Sequence, residues 1–271
     1  MSEVSLLHRL ETYLDAVPRS AANAEPFGPL TLFNRAGAGW PYYARPTLGW
    51  TGDMAAADLA AVRRRQRELD LPEAFEWVDN TTPSLLPLAV RAGLHVEALP
   101  LMVLTRPILA SPPPGIRVRT LAADDPWLAR ATAVAEVAFA TPGTLTGTAG
   151  ESDRDTAAAL LYPQRMRASR DRIRRGLTVT AVAASDGAGP VCVGSHQPVG
   201  DVTEIVGVGT LPSARRGGIA AAVTAHLVAD AAARGVSTIF LSAGSEDVAR
   251  LYARVGFERI GTSCIAEPAA G

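Results

Sequence analysis

The sequence predicts an α/β (α+β) protein in which a larger domain of alternating strands and helices follows a smaller α+β domain. Along residues 116–265, segments rich in β-branched residues alternate with alanine-rich or amphipathic segments of helical spacing. The segment before them, residues 111–115, holds three prolines and a glycine and predicts a stiff linker. We therefore expect an N-terminal domain over residues 1–110, a proline-rich linker over 111–115 and the larger domain over 116–265.

Composition is typical of a soluble globular protein. The chain has 271 residues, 48% hydrophobic and 20% charged, with a formal net charge of −1. This charge balance gives no electrostatic argument for binding nucleic acid or a membrane. No window reaches the roughly 20 apolar residues that cross a bilayer, and the N-terminus lacks the regions of a signal peptide. Cys192 and Cys264 lack metal-ligand spacing, so we expect buried thiols, no metal and a cytoplasmic location.

The larger domain reads as an ordered series of strands and helices. Helical spacing, β-branched runs and turn residues define its elements. The predicted strands cover 116–121, 177–184, 191–199, 204–211 and 237–242, with a last strand from 257, and the predicted helices cover 124–138, 151–175, a segment from about 218, and 246–254.

The N-terminal region is less regular. An amphipathic helix opens it, and a strand at 74–78, a helix at 84–91 and a strand at 96–104 close it. This order matches the strand, helix and strand of 238–261. Two interpretations stay open: a degenerate half-copy of the larger domain's fold without its anion-binding turn, which would pack and shape a cleft, or an unrelated α+β domain.

The stretch from Glu204 to Ala220, EIVGVGTLPSARRGGIA, carries the strongest functional signal. Pro212 ends a strand because it has no N–H for the ladder, and a helix begins near Gly218. Free N–H groups, the helix dipole, two arginines and two glycines predict an anion site there, most simply for phosphate. A dinucleotide fingerprint fails because position 212 is proline, and a Walker A loop fails because the chain has no lysine. An ordinary βα turn with a chance basic pair is the remaining alternative.

Two motifs in sequence order identify a family resemblance. Arg215-x-x-Gly218-x-Ala220 resembles the R/Q-x-x-G-x-G/A motif of the GNAT superfamily of acetyl-CoA-dependent N-acetyltransferases. Downstream, residues 251–257 (LYARVGF) resemble the L-Y-x-x-x-G-F end of that family's second signature. The resemblance implies a mixed, mainly antiparallel sheet flanked by helices, with acetyl-CoA as co-substrate. The sequence departs from the family pattern at two positions. Ser245 stands where the family often has asparagine, and Val248 stands where it often has alanine.

The resemblance also implies which residues hold the cofactor. The backbone N–H of Val208 would polarise the acetyl carbonyl, and the strand after it would pair with the pantetheine arm. The turn would bind the pyrophosphate, since glycine lets backbone approach phosphate closely. The implied cofactor-binding residues are Val208, Gly209, Thr210, Arg215, Arg216, Gly217, Gly218, Ile219, Ala220 and Ser245.

The resemblance to the GNAT superfamily also suggests which residues act as acid and base. Tyr252 matches the family tyrosine near the sulfur and would protonate the thiolate; the alternative is a tyrosine that only packs. Glu204 lies where some members place a catalytic glutamate, the alternative being an ordinary strand-edge residue. His196 competes as a base, whereas His226 fits a structural or surface role. Many family members have no dedicated base.

The sequence also suggests functions for two further segments. The glycine- and threonine-rich segment 141–150 is predicted to be mobile and, by the resemblance, to line and gate the acceptor site. The arginines between 165 and 175 are interpreted as a solvated helix face, with an anionic partner or a coenzyme A phosphate as the minority alternative.

The resemblance implies direct transfer of an acetyl group to a primary amine of a small molecule or a protein. Neither motif contains a cysteine that could carry the acyl group covalently. The alternatives are a non-catalytic acyl-CoA-binding sensor or scaffold and a longer-chain acyltransferase. Since family members often dimerise, a homodimer is a further expectation.

Overall fold

A computed structural model describes residues 3–35, 42–141, 143–185 and 187–269. The chain forms two compact units, one of Met1–Leu101 with Ile260–Gly271 and one of Met102–Arg259. It therefore passes between the units twice, and the proline-rich segment 111–115 lies inside the second unit. The three-part division at 1–110, 111–115 and 116–265 stays a prediction about domain boundaries.

The described residues of the first unit form a strand-rich layer and three helices. Its elements are α1 (Glu3–Arg19), β1 (Asn23–Phe27), β2 (Leu30–Asn34), β3 (Ala44–Pro46), α2 (Ala56–Glu68), β4 (Phe75–Val78), α3 (Leu85–Arg91), most of β5 (Leu94–Leu104) and most of the last strand of the chain, β11 (Phe257–Pro268).

Residues from the end of the chain complete the sheet of this unit. Its strand order is β1-β2-β3-β4-β11-β5. β11 pairs antiparallel with β4, so that Cys264 lies opposite Trp77. Both side chains are almost fully buried and belong to one apolar core with Phe75. The C-terminal strand therefore supplies part of the hydrophobic core of the N-terminal unit.

A buried ion pair ties α1 to the strands. Arg45 on β3 is 1% exposed, and its Nη2 donates to Oε2 of Glu11 at 2.5 Å. The other oxygen of Glu11 accepts from the Thr81 hydroxyl at 2.6 Å. Because removing one partner would leave a buried charge unpaired, this pair constrains the position of α1.

The second unit begins with the end of β5 and ends with the start of β11. Between them lie β6 (Ile116–Thr120), α4 (Leu128–Phe139), α5 (Glu151–Ala159), α6 (Pro163–Arg174), β7 (Val179–Ser185), β8 (Gly189–Val199), β9 (Val202–Thr210), a 3₁₀ turn (Pro212–Ala214), α7 (Ile219–Ala233), β10 (Thr238–Ser242) and α8 (Glu246–Ala253).

The sheet of the second unit is mixed and mainly antiparallel, as predicted. Its order is β10-β9-β8-β7-β6. The pairs β6–β7, β7–β8 and β8–β9 are antiparallel, and only β10–β9 is parallel. The helix α7 connects the two parallel strands, as a parallel pair requires a crossover. Its inward side chains, including Val223 and Leu227, are fully buried against this sheet.

One predicted helix is two helices in the structure. Residues 151–175 were expected to form a continuous helix, but α5 ends at Ala159 and α6 starts at Pro163. Proline at the first position of a helix needs no hydrogen-bond acceptor, whereas inside a helix it removes a bond and clashes with the preceding turn. Pro163 therefore starts a new helix.

The half-copy interpretation is compatible with the element plan. β4, α3 and β5 have 4, 7 and 11 residues, and β10, α8 and β11 have 5, 8 and 12. Gly93 and Gly256, which follow the two helices, both have positive φ, +76° and +100°. The two segments share one plan, and their origin as copies stays a prediction.

Within the described residues, none of the helices is both long and apolar enough to span a bilayer. The same residues hold no cluster of three or more His, Cys, Asp or Glu side chains suited to a metal ion.

Candidate functional site

Strand β9 has a bulge at the position where the resemblance implies acetyl binding. The register between β8 and β9 shifts over residues 193–195, so Gly207 and Val208 together face one residue of β8. Gly207 has φ +63°, a left-handed conformation that glycine adopts readily at a bulge. The inserted residue turns the Val208 side chain towards α7, where it packs beside Gly194, Val223 and Leu227. The backbone at Val208 therefore lies at a break in the ladder.

β9 and β10 pair only along the first part of β9. Their parallel register joins residues 202–204 to residues 238–240, whereas β9 continues to Thr210. Beyond residue 204, the edge of β9 that faces β10 thus has backbone groups outside this ladder. Such an edge can accept an extended ligand that contains amides as an added strand.

A cavity of about 240 Å³ lies on the face of the sheet that α4 and α6 cover. Its walls include Thr132 of α4 and Arg165, Ser169 and Arg172 of α6. Gly207 belongs to both the bulge and the cavity, so the two features adjoin. The floor residues are Thr180, Val193, Ser195, Gln197, Val206 and Gly207.

Glu204 lies on the same face of the sheet as the cavity. It pairs directly with Gln197 and stands two residues before Val206, both of which line the cavity. Paired residues and alternate residues of a strand share a face. The side chain of Glu204 is half-buried. This position suits a base beside the acceptor, and the role itself stays a prediction.

Tyr252 is buried in the core of the second unit, with 8% of its surface exposed. Its ring meets Phe257 edge-on, with centroids 5.9 Å apart. Burial, together with nearby Cys192, raises the pKa of Tyr252 above its usual value. The phenol therefore keeps its proton at neutral pH, which is the state that a proton donor requires.

The turn before α7 offers backbone donors to an anion. Arg216 and Gly218 both have left-handed backbones, with φ of +65° and +76°. Among the described residues, no side chain caps the N-terminus of α7 at Gly218. N–H groups in such a turn and at an uncapped helix start can donate to a single anion. The side chain of Ile219 is buried, so any contact of this residue with a ligand would be made by its backbone.

Arg215 uses its side chain to hold the fold together. A guanidinium has five N–H donors, and here five backbone carbonyl oxygens accept from it. Arg215 thus binds the end of α4 and the following loop, whereas Arg216 has an exposed side chain at the turn. The implied contact of Arg215 with an anion stays a prediction. The acceptors are the carbonyls of Thr210 (3.1 Å), Ala138 (2.6 Å), Thr141 (3.1 Å), Gly143 (3.1 Å) and Leu145 (2.6 Å).

Described residues of the segment 141–150 make several hydrogen bonds to the rest of the second unit, and the mobility of the segment stays a prediction. Besides the bonds to Arg215, Gly147 N–H donates to the carbonyl of Pro212 and Ser213 N–H donates to the carbonyl of Ala149. Pro142 lies outside the described residues. None of the other residues of this segment lines the cavity. The cavity is lined by residues of α4 and α6 instead, and the acceptor-lining role of the loop stays a prediction.

Ser245 serves as the N-cap of α8. Its hydroxyl oxygen accepts a hydrogen bond from the N–H of Val248 at 3.3 Å. This bond satisfies one of the free donors of the first helical turn. The structure thus gives Ser245 a structural function, and its contact with a cofactor stays a prediction.

The two histidines considered from sequence have structural contacts. His196 is fully buried on the α7 face of the sheet, with Nδ1 3.0 Å from the Thr203 hydroxyl and Nε2 3.0 Å from Asp230. Burial lowers the pKa of His196. His226 Nε2 lies 2.9 Å from the Thr120 hydroxyl. Since Glu204 and the cavity are on the opposite face, His196 is removed as a candidate base.

The sequence interpretation missed the polar floor and the α6 wall. Thr178 and Thr180, like Ser195 and Gln197, are polar residues at alternate positions of apolar strands. This alternation is a signal for a polar face. Arg172 was grouped with a solvated face, although it lines the cavity.

Residues 151–257 match the family model described as the acetyltransferase (GNAT) family. The matched segment runs from α5 to the start of β11 and includes the bulge, the cavity floor and the turn before α7. The second unit therefore carries a GNAT-family acetyltransferase domain, as the two sequence motifs predicted. No curated protein matches the chain.

Solved structures show a similar fold over nearly the whole chain. A GCN5-related N-acetyltransferase from Kribbella flavida has a TM-score of 0.70 at 21% identity, covering 98% of this chain and 96% of its own. A putative GNAT-family acetyltransferase from Novosphingobium aromaticivorans has a TM-score of 0.53 at 20% identity, covering 93% and 94%. A tandem GNAT protein from the clavulanic acid biosynthesis pathway has a TM-score of 0.55 at 15% identity, covering 89% and 79%. The predicted GNAT-like fold with an additional N-terminal region is thus confirmed.

Proposed function

We propose that the protein is an acetyl-CoA-dependent N-acetyltransferase that moves the acetyl group directly to a primary amine. One observation carries this proposal: the open edge of β9 and its bulge adjoin the cavity at Gly207. A thioester bound along that edge would end beside a space suited to an acceptor.

The residues of the turn and strand fit the parts of acetyl-CoA. Backbone N–H groups of residues 216–220 would bind the pyrophosphate, with the exposed Arg216 adding positive charge. Backbone groups of residues 206–210 would pair with the amides of the pantetheine arm. When bound, acetyl-CoA supplies an activated acetyl thioester.

Three groups of the chain would assist the transfer. The nitrogen of the amine forms a bond to the carbonyl carbon, the carbon–sulfur bond breaks, the nitrogen loses a proton and the sulfur gains one. The N–H of Val208 would donate to the carbonyl oxygen, where negative charge develops. Glu204 would accept the proton of the amine, directly or through water, and Tyr252 would donate a proton to the sulfur.

The environment of the cysteines supports direct transfer. Burial raises the pKa of Cys192 to about 12. A thiol in that state is a poor nucleophile at neutral pH. Cys264 is buried in the core of the other unit. Neither thiol is therefore suited to carry the acetyl group.

Calorimetric titration with acetyl-CoA, beside an assay of coenzyme A release on a panel of amines, tests the proposal. We expect binding and amine-dependent release, with Glu204→Gln lowering release but not binding. Binding that Glu204→Gln and Tyr252→Phe leave unchanged, with no release on any amine, would support the sensor instead. Absence of binding would reject the cofactor assignment.

A further inference from the structure

We propose that Arg172 selects an acceptor that carries an acidic group in addition to its amine, so that the substrate is a small aminocarboxylate. This inference rests on the proposed acetyltransferase function and adds the substrate class.

Arg172 is a half-buried cation held in place inside the cavity. Its Nε donates to the hydroxyl of Thr178 at 3.1 Å. Over the described part of the chain, no carboxylate lies within ion-pair distance of Arg172, whereas its neighbour Arg165 pairs with Glu136. The two terminal nitrogens of Arg172 therefore keep their donors for a ligand. A guanidinium matches the geometry of a carboxylate with two parallel bonds.

Arg172 and Glu204 lie at opposite ends of a row of three neighbouring strand positions, those of Thr178, Gln197 and Glu204. Val179 pairs with His196, so Thr178 lies level with Gln197, which in turn pairs with Glu204. With neighbouring strands about 4.8 Å apart, the backbones of Thr178 and Glu204 are roughly 10 Å apart. A ligand with an amine at one end and a carboxylate at the other complements this row.

The size and lining of the cavity favour a small polar acceptor. Its volume of about 240 Å³ is below the roughly 300–1,000 Å³ of pockets for drug-sized ligands. The floor has two hydroxyls, of Thr180 and Ser195, which hydrogen-bond each other at 2.9 Å. Ser169 adds a hydroxyl from the wall. These groups can solvate a zwitterion.

The helix that carries Arg172 is locally basic. α6, with the sequence PQRMRASRDRIR, contains five arginines and one aspartate, although the chain as a whole has a net charge of −1. Clustered positive charge beside a cleft raises the local concentration of anions and their association rate. The basic segment singled out in the sequence thus acquires a function at the acceptor site.

Matched pairs of amines provide the test. The probes are glycine, β-alanine and 4-aminobutyrate, each beside its carboxamide, in the coenzyme A release assay. We expect kcat/KM to favour the acids by at least about tenfold. Arg172→Gln should reduce this preference by roughly 10- to 100-fold, mainly by raising KM for the acids more than KM for the carboxamides. Arg172→Lys should restore part of the preference. The matched control is Arg174→Gln, an exposed residue of the same helix outside the cavity lining.

A binding measurement separates this inference from the proposed function. NMR titration of the same acids into the protein without acetyl-CoA should give weaker binding for Arg172→Gln than for the unmodified chain or Arg174→Gln. Two results would overturn the inference and leave the acetyltransferase function standing. In the first, acetyl-CoA binds and the carboxamides react as well as the acids. In the second, acetyl-CoA binds and Arg172→Gln keeps the preference for the acids. Acetyl-CoA binding with no turnover of either series also overturns the inference. If acetyl-CoA does not bind but the acids bind through Arg172, the proposed reaction fails and the acidic-ligand site stands.

Discussion

Two adjacent arginines show how far identical residues diverge in this fold. Arg215 gives all five donors to backbone carbonyls, including two at the C-terminal end of α4 and its continuation. A cation there also interacts favourably with the negative end of the helix dipole. Arg216 has an exposed side chain and a left-handed backbone at the start of α7. We therefore expect Arg215 to contribute mainly to stability and Arg216 to the proposed anion site.

Substituting each arginine by alanine separates these effects. Arg215→Ala should lower the free energy of unfolding by about 2–3 kcal/mol, because several charge-assisted bonds to carbonyls are lost. Arg216→Ala should leave stability within about 0.5 kcal/mol and weaken acetyl-CoA binding several-fold. Urea denaturation and calorimetry measure the two quantities. Equal stability of the two variants would contradict the structural role of Arg215.

The hydroxyl of Tyr252 can be tested without disturbing its packing. Tyr252→Phe keeps the edge-on ring contact with Phe257 and removes only the proton donor. We expect kcat to fall about 100-fold, which is typical for loss of a general acid, with acetyl-CoA affinity unchanged. Steady-state kinetics measure this effect. Wild-type kcat in the folded variant would show that the tyrosine only packs.

At the scale of secondary structure, the bulge on β9 decides which side chains reach which face. Val206 lines the cavity, whereas Val208, two residues later, packs on the opposite face near Gly194. In a regular strand these residues would share a face. The insertion at Gly207 therefore lets consecutive parts of one strand line the cavity and pack against α7.

Two glycines with similar left-handed backbones provide a matched test of the bulge. Gly207 and Gly200, in the turn between β8 and β9, have φ of +63° and +58°, and open space surrounds the position of an added Cβ at both. Alanine at either position should cost about 1 kcal/mol of stability, since its methyl disfavours positive φ. Only Gly207→Ala, which places a methyl beside the cavity, should lower kcat/KM beyond that shared effect. Equal kinetics in the two variants would remove the bulge from the site.

The buried contact of β8 with α7 predicts a pH dependence of stability. Burial lowers the pKa of His196 in the folded state, with Asp230 acting in the opposite direction and Arg234 in the same direction. Below the unfolded value of 6.5, the unfolded chain therefore binds more protons, and stability falls as pH decreases. Asp230, whose pKa is also lowered, contributes only near and below its unfolded value of 3.8.

Urea midpoints at pH 7 and pH 5 test this contact. The difference between them should be smaller for His196→Gln than for the unmodified protein. The exposed His95 provides a control, since His95→Gln should keep the unmodified difference. An unchanged difference in His196→Gln would assign the acid sensitivity to other groups.

At the scale of the whole molecule, each unit contains one buried cysteine. Cys192 lies in the core of the second unit and Cys264 in that of the first. Burial raises the pKa of Cys192 to about 12 and that of Cys264 to about 11. Both thiols should therefore react slowly with thiol reagents until the surrounding unit opens.

Single-cysteine variants make each thiol a reporter of its own unit. In Cys264→Ala, acetyl-CoA should slow labelling of Cys192, because a ligand that binds the folded second unit stabilises it. In Cys192→Ala, acetyl-CoA should slow the labelling of Cys264 less than it slows the labelling of Cys192 in Cys264→Ala. Labelling rates with and without acetyl-CoA measure this difference. Equal protection would show that the two units open together.

Local signals predicted most of the second unit. The strand, proline, basic turn and helix from 204 to 220 form as expected, because strand ends and helix starts depend on nearby residues. The same is true of the strand at 238–242 and the helix that ends before Gly256. The break at Pro163 was equally local and could have been predicted, since the rule for proline in helices needs no tertiary information.

The sequence by itself determined the class of fold, the family of the second unit and the position of the turn before α7, because these depend on periodicity and short-range motifs. Tertiary structure alone decided that Arg215 binds carbonyls of a segment some 70 residues away, that β11 returns to complete the first unit, and that Arg172 faces a cavity. It also removed His196 from the site by placing it on the opposite face. Strand register and helix packing assign side chains to faces, and these depend on contacts between residues distant in sequence.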